Sequence, residues 1–221
     1  NYCGSGLGMF DHDPDGVGRY FSPTELLSAI VSVFPQAANI AHLIRYSTSS
    51  WSYDSDGILK SSPSPGYHLY FVAKDASDLP RFGAVLFKRL WLCGCGHARL
   101  SEAGSILTRG PIDKSVFSPE RCDFVAGAVL NDGLTQRFPV ASFANGKAID
   151  TRMLPDLTAT EEETYHRFVD AERQRLKPEQ KPKRQTYAKK VAKETGEKPE
   201  DVYRRLVEAD RGEIRSSTIL Q

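Results

Sequence analysis

The chain lacks any apolar run approaching the roughly 20 residues that a membrane-crossing helix needs. It also lacks the charged, apolar and small-residue regions of a secretory leader. An initiator methionine is missing too, and Asn1 runs almost at once into strand-like sequence, so a fragment or processed chain with room for a partner domain is expected. Cysteine is scarce. Cys3, Cys93, Cys95 and Cys122 do not have the framework spacing of a small disulfide-stapled secreted domain. These absences point to a cytoplasmic protein that makes no use of a membrane. What remains is ordinary for a globular chain: 221 residues, 40% hydrophobic and 26% charged, long enough for one good core and a smaller second unit.

Net charge is only +1, but its distribution is uneven. Residues 1–150 carry 13 Lys and Arg against 14 Asp and Glu, whereas Arg173 to Arg205 carry 12 basic residues against 5 acidic. Composition changes near residues 145–160, from short apolar runs punctuated by Gly, Pro and Ser to Glu, Lys, Arg and Ala at helical spacing. Two domains are expected, 1–150 and 151–221. In the first, Leu7–Phe10, Ile40–Tyr46 and Tyr67–Val72 read as strands. Ser22-Pro23-Thr24-Glu25 reads as a capping box opening a helix to Phe34, and Leu79–Leu92 reads as a second helix with Phe82, Val85, Leu86 and Leu90 on one face. A strand-like piece follows at Ile106-Leu107, and Val125–Leu130 is another short apolar run. The tail reads as two or three helices, near Thr160–Leu176, Gln185–Thr195 and Glu200–Ala209, separated by Pro178, Pro182, Gly196 and Pro199. Strands alternating with helices are compatible with an α/β or an α+β sheet domain, and with the helical tail the chain is expected to be α+β.

Phe10-Asp11-His12-Asp13-Pro14 is the sharpest local feature. Residues two apart on a strand share a face, so Asp11 and Asp13 should project together at the strand's end. Neighbouring carboxylates repel unless a cation lies between them, and oxygen donors favour Mg²⁺ or Mn²⁺. The same tripeptide is common in solvated turns. His68 opens an apolar strand after a Ser, Pro and Gly loop, a position equally suited to a structural histidine. Asp113, between Arg109 and Lys114, would by itself pass for an ion-paired surface acid.

Taken in order, Phe10-Asp11-His12-Asp13-Pro14-Asp15, Gly66-Tyr67-His68-Leu69-Tyr70-Phe71 and Leu107-Thr108-Arg109-Gly110-Pro111-Ile112-Asp113, trailed by Val116–Arg121, resemble the three motifs of the archaeo-eukaryotic primase superfamily. The match is nearer to the primase and primase-polymerase domains of phage and plasmid replication proteins, and it covers residues 1–132. The resemblance implies a mixed-sheet catalytic domain in which Asp11, Asp13 and Asp113 hold two Mg²⁺ or Mn²⁺ ions and His68 meets the phosphates of a nucleoside triphosphate. Arg45, Arg109 and Lys114 are further candidates for the polyphosphate, which needs cationic partners. The family's second motif carries a serine where this chain has Gly66, so Ser64 or the Ser47–Ser50 cluster, with Ser47 and Ser49 foremost, is expected to supply that hydroxyl. A phage- or plasmid-encoded primase in a bacterial cell would act on single-stranded DNA, with a replicative helicase domain or protein as a further partner. The basic helical tail would help to hold the template through Arg184, Lys189, Lys190 and Lys193.

Cys93-Gly94-Cys95-Gly96-His97 has one residue between its cysteines where structural zinc sites use two to four, and it continues an apolar helix, so zinc is not expected. Two other function classes compete. A metal-dependent nuclease or relaxase of a mobile element would also use clustered acids, but the five histidines, at 12, 42, 68, 97 and 166, form no His-x-His pair. A non-catalytic nucleic-acid-binding module would leave the acids incidental.

Overall fold

The computed structural model describes residues 4–61, 65–118, 123 and 126–210. The expected α+β class is what the chain forms, and it divides into two compact units. The first comprises residues 1–96 and 110–165. The second comprises residues 97–109 and 166–221, so the division does not fall at one point near residue 150.

The first unit is built on an antiparallel sheet of four strands: β1 (Gly6–His12), β2 (His42–Tyr46), β4 (Tyr67–Ala73) and β8 (Ser142–Ala144), in the order β1-β4-β2-β8. The short strands β3 (Ser52–Tyr53) and β7 (Thr135–Gln136) pair separately. The expected mixed character is confined to isolated parallel bridges, Ile40 to Lys147 and Ala73 to Ile149. Alternation along β4 is clean, with Tyr67, Leu69, Phe71 and Ala73 buried and His68, Tyr70 and Val72 on the other face. β1 alternates likewise, burying Gly8, Phe10 and His12.

Two helices supply the core beneath the buried face. α1 (Pro23–Val33) opens with the expected capping box: Glu25 N–H donates to Ser22 Oγ at 3.3 Å, and Ser22 N–H donates to Glu25 Oε2 at 2.9 Å. It buries Leu26 and Ile30, and Pro35 follows at once in a short 3₁₀ turn. α2 (Leu79–Leu92) buries Phe82, Leu86, Leu90 and Trp91. Phe10 stacks on Phe71 with ring centroids 4.5 Å apart, and Phe82 meets Phe34, Phe71 and Phe117 edge-on at 5.6–6.2 Å. Gly83 makes room for Phe117, because a Cβ there would lie 2.3 Å from the ring. Residues 126–130 of the apolar run Val125–Leu130 form no strand.

In the second unit, β5 (His97–Leu100) and β6 (Ile106–Arg109) form a hairpin, joined by α3 from residue 166 onward and by α4 (Pro199–Asp210). α3 spans Ala159–Thr195 without a break, which corrects the expectation of two helices separated at Pro178 and Pro182. Both prolines are solvent-exposed and one turn apart, while Leu176, Arg184, Ala188 and Ala192 are buried. The hydrogen bonds they delete would have used the carbonyls of residues 174 and 178. Those carbonyls are on the exposed side, where water can satisfy them and a gentle outward-convex bend is tolerated. Ala188, Ala192, Val202 and Leu206 pack together, and Ala98, Leu100 and Leu176 form a second small core. Among the described residues no helix is long and apolar enough to cross a membrane.

Candidate functional site

The antiparallel register places one row of polar side chains across three strands of the first unit. Asp11 on β1 lies opposite His68 on β4, and His68 lies opposite Arg45 on β2. All three belong to the face of the sheet that α1 and α2 do not cover, because their neighbours His12, Tyr67 and Leu69 carry the buried phase of the alternation. Asp13 follows one residue beyond the end of β1 and is exposed.

Asp113 is far away in sequence and reaches the row through the backbone. Its N–H donates to the carbonyl of Asp11 at 2.9 Å. Two residues earlier, the carbonyl of Pro111 accepts from His12 Nδ1–H at 2.9 Å, and His12 Nε2 accepts the N–H of Phe21 at 3.2 Å. That pattern requires the neutral ring with its proton on Nδ1. Burial pushes the His12 pKa down and supports this form, although the Pro111 carbonyl, Asp13 and Asp15 pull the other way. The middle residue of the Asp-His-Asp tripeptide is therefore a clamp. It ties the Asp113 loop and the loop before α1 to the end of β1. Asp113 then caps the 3₁₀ turn Lys114–Phe117, accepting from Ser115 N–H at 2.8 Å. It does not end a strand of the main sheet, since Ile106-Leu107 belong to β6.

Electrostatically the acids form one neighbourhood. Burial raises the Asp11 carboxyl to about 6; His68 opposes that rise, and Asp13, Asp113 and Asp123 add to it. Asp123 was not anticipated from sequence, because nothing periodic surrounds it. His68 Nε2 lies 3.6 Å from Asp11 Oδ1, and its Nδ1 lies 3.0 Å from Asp123 Oδ1. The second pair is close but not aligned as a hydrogen bond, for Asp123 Oδ1 has no such partner. The aligned path runs from His68 Nδ1–H to the Tyr70 oxygen at 3.1 Å, and from the Tyr70 hydroxyl to Asp123 Oδ2. Burial, and then Asp123, push the Tyr70 phenol well above its ordinary range, so it stays protonated and able to donate.

Among the described residues no three His, Cys, Asp or Glu side chains are gathered into a ready-made metal cage. The donor set nevertheless fits a hard divalent ion in kind: Asp11, Asp13 and Asp113 offer only oxygen, and the upward shift of Asp11, set first by burial, is added to by Asp13, Asp113 and Asp123.

The remaining expected residues separate into those near this row and those elsewhere. A Cβ on Gly66 would lie 3.3 Å from Asp13 Oδ1 and 3.4 Å from Ser47 Cβ, so Ser47 is beside the position where a serine was expected. Ser47 Oγ is 3.2 Å from Ser49 Oγ. Ser64 lies outside the described residues, as do Cys3 and Cys122. Arg45 donates to the Ala126 carbonyl at 3.4 Å and also engages Tyr70. Lys114 is exposed and holds its ammonium 5.2 Å above the Phe87 ring.

Arg109 ends β6 and belongs to the second unit, where its Nε is buried without a hydrogen-bond partner. Arg184, expected on a template-holding surface, is instead 6% exposed and paired with Asp210, its guanidinium also reaching the Gly104 carbonyl at 3.4 Å. It is part of the interior, since a buried guanidinium needs a carboxylate more than it can serve a ligand. Lys190 is exposed but bridges to Glu102 at 2.6 Å, while Lys189 and Lys193 are exposed on α3. Lys181, Gln185, Lys189 and Tyr203 line a cleft of about 460 Å³ between α3 and α4.

Comparison with protein-family models, with curated proteins and with solved structures gives no match to this chain.

Proposed function

We propose that the first unit is the catalytic domain of a DNA primase, of the primase-polymerase kind used in phage or plasmid replication, which extends a 3′-hydroxyl on a single-stranded template with nucleoside triphosphates. The observation that carries this reading is the convergence of three separate sequence motifs. Asp11 and His68 share one cross-strand row, and Asp113 is bonded to the backbone of Asp11 across 102 positions of chain. Chance acids in an exposed turn would have no reason to be met by a histidine from one strand and a carboxylate from a distant loop on the same open face.

In this reading Asp11, Asp13 and Asp113 hold Mg²⁺ or Mn²⁺. Such ions, when bound, activate the attacking oxygen and take up charge on the departing pyrophosphate. The chain's own part is positional and electrostatic. His68, steadied on its far side by Tyr70 and Asp123, presents Nε2 to the row where a phosphate oxygen would lie. Arg45, the next residue across, offers a forked cation suited to the same polyphosphate. Ser47 stands beside Gly66 and supplies the hydroxyl that the motif lacks. Exposed Lys189 and Lys193, with Tyr203, are the residues of the second unit suited to a single strand, through phosphate pairing and base stacking.

The test is primer synthesis on single-stranded DNA with labelled nucleotide and Mg²⁺ or Mn²⁺, comparing the parent with the double variant Asp11→Ala, Asp13→Ala. Product that depends on both acids supports the proposal. Product unaffected by their loss sinks it, and shortening of the template in place of synthesis assigns the site to a nuclease.

A further inference from the structure

The loop after α2 carries a chemistry that the proposed catalytic site does not use. Cys93 caps the helix and is exposed; Cys95, two residues on, is half-buried. Their sulfurs are 3.6 Å apart, already in contact and aimed at each other. The turn between them is built for close approach. Gly94 adopts φ +80°, and Gly96 lies flat against Trp91, where any Cβ would come within 2.1 Å of the ring. Cys95 N–H is fixed to the Leu90 carbonyl at 2.9 Å, and Cys93 Sγ donates to the same carbonyl at 3.2 Å. With that oxygen engaged by Cys93, the Cys95 thiol is left to donate to Cys93 Sγ, which makes Cys93 the better nucleophile. Burial first, and then Cys93, push the Cys95 thiol up to about 11, so it is the proton-holding member of the pair.

We propose that Cys93 and Cys95 form a reversible dithiol–disulfide site, closed by small-molecule disulfides such as oxidised glutathione. The step balances as two exchanges. The Cys93 thiolate attacks one sulfur of the disulfide, forming a mixed disulfide and releasing one thiol. Cys95 then gives up its proton and attacks Cys93 Sγ, forming the internal S–S bond and releasing a second thiol. Two protein thiols are oxidised and one disulfide is reduced to two thiols. Closure must shorten the sulfur separation to the usual ~2.05 Å across a single intervening residue. A bond that tight and exposed belongs among the labile, easily reduced disulfides rather than the structural ones.

Peptide mapping reads this directly, because cleavage after Arg89 and Arg99 leaves both cysteines in one peptide, 90–99. Treatment of the folded, fully reduced chain with oxidised glutathione, followed by alkylation, should give that peptide lighter by two hydrogens and without label. Dithiothreitol should restore it to two labelled thiols. Cys95→Ser should stop at a stable glutathione adduct on Cys93, and Cys93→Ser should react at least tenfold more slowly. A parent chain that keeps glutathione on Cys93 with Cys95 free to alkylate overturns the proposal, as does a peptide that stays reduced while Cys3 or Cys122 reacts.

Discussion

The two faces of one sheet treat their polar residues in opposite ways. On the buried face, His12 has both ring nitrogens satisfied by backbone groups and is held neutral by burial. On the open face, one register position away on the partner strand, His68 stands between Asp11 and Asp123, and the acids around it outnumber the cations. The first histidine lowers the energy of the fold. The second belongs to a group of charges that folding alone gives no reason to assemble, and such groups are where function is to be sought. The two are linked, since the clamp made by His12 is what delivers Asp113 to the row.

The largest effect that would sharpen this contrast comes from Asp11→Asn. If the open face is catalytic, primer synthesis should fall by about 10²–10³-fold, the usual consequence of removing one group that stabilises developing charge. Stability should move the other way. The folded chain holds the Asp11 proton up to about pH 6, whereas the unfolded chain releases it near the ordinary value of 3.8. The folded state therefore binds the proton more tightly, and stability is lost as pH rises from about 4 to about 6. Asp11→Asn removes that penalty, so in Mg²⁺-free buffer the variant should melt higher than the parent at pH 8 and level with it at pH 4. A melting point that falls at pH 8 would place Asp11 among the residues that support the fold and erase the contrast.

His12→Ala should do the reverse. It strands the Pro111 carbonyl and the Phe21 N–H in the interior, at a cost of about 1–3 kcal/mol for each unpaired group. A chain of this size loses about 2–4 °C of melting temperature per kcal/mol. Synthesis should fall as well, through the loosened Asp113 loop, while the parent pH profile of the remaining activity is kept. Thermal denaturation alongside the primer assay separates the two variants. A smaller effect is expected from Asp123→Asn, which leaves Tyr70 a weaker acceptor and His68 less firmly oriented. About a tenfold loss of synthesis with an unchanged melting point is the expected outcome, in line with other groups that orient a functional side chain. No change in rate would reduce Asp123 to a neighbour of the site.

Much of the buried face could be read from the sequence, because it follows local rules. The alternation in Tyr67–Ala73, the capping box at Ser22 and Glu25, and the apolar stripe of Leu79–Leu92 each have a period or a fixed spacing. On the open face only the motif residues were legible: Asp11, Asp13, His68 and Asp113 through their order, Arg45 and Ser47 as candidates among several. Asp123 was not, because it comes from a stretch without periodicity and is placed by a tertiary contact to Tyr70. The three-residue strand β8 was missed for the same reason; it exists only as a partner of β2. Arg184 misled through composition, since a basic stretch does not say which of its cations is paired with an acid 26 residues away. Pro178 and Pro182 misled because a helix-breaking residue tells of a local penalty and nothing of the packing on the opposite side.

The smallest expected effect tests where the boundary between the two faces lies. Leu7 and Gly8 are consecutive on β1 and point in opposite directions. Leu7 is 67% exposed on the open face, in an apolar hollow of about 320 Å³ shared with Leu43, Val72 and Phe143. Gly8 is buried, and a Cβ there would press within 2.4 Å of the Phe71 ring. Gly8→Ala forces Phe71 out of its stack on Phe10, an overpacking cost of about 1–3 kcal/mol. Leu7→Thr places a β-branched residue, which suits a strand, and removes only exposed apolar surface, so its effect should stay within about 0.5 kcal/mol. Chemical denaturation of the two variants checks both. A Leu7→Thr loss as large as that of Gly8→Ala would mean that the open face is covered in the folded chain, and the row of Asp11, His68 and Arg45 would then have to be sought under that cover rather than in solvent.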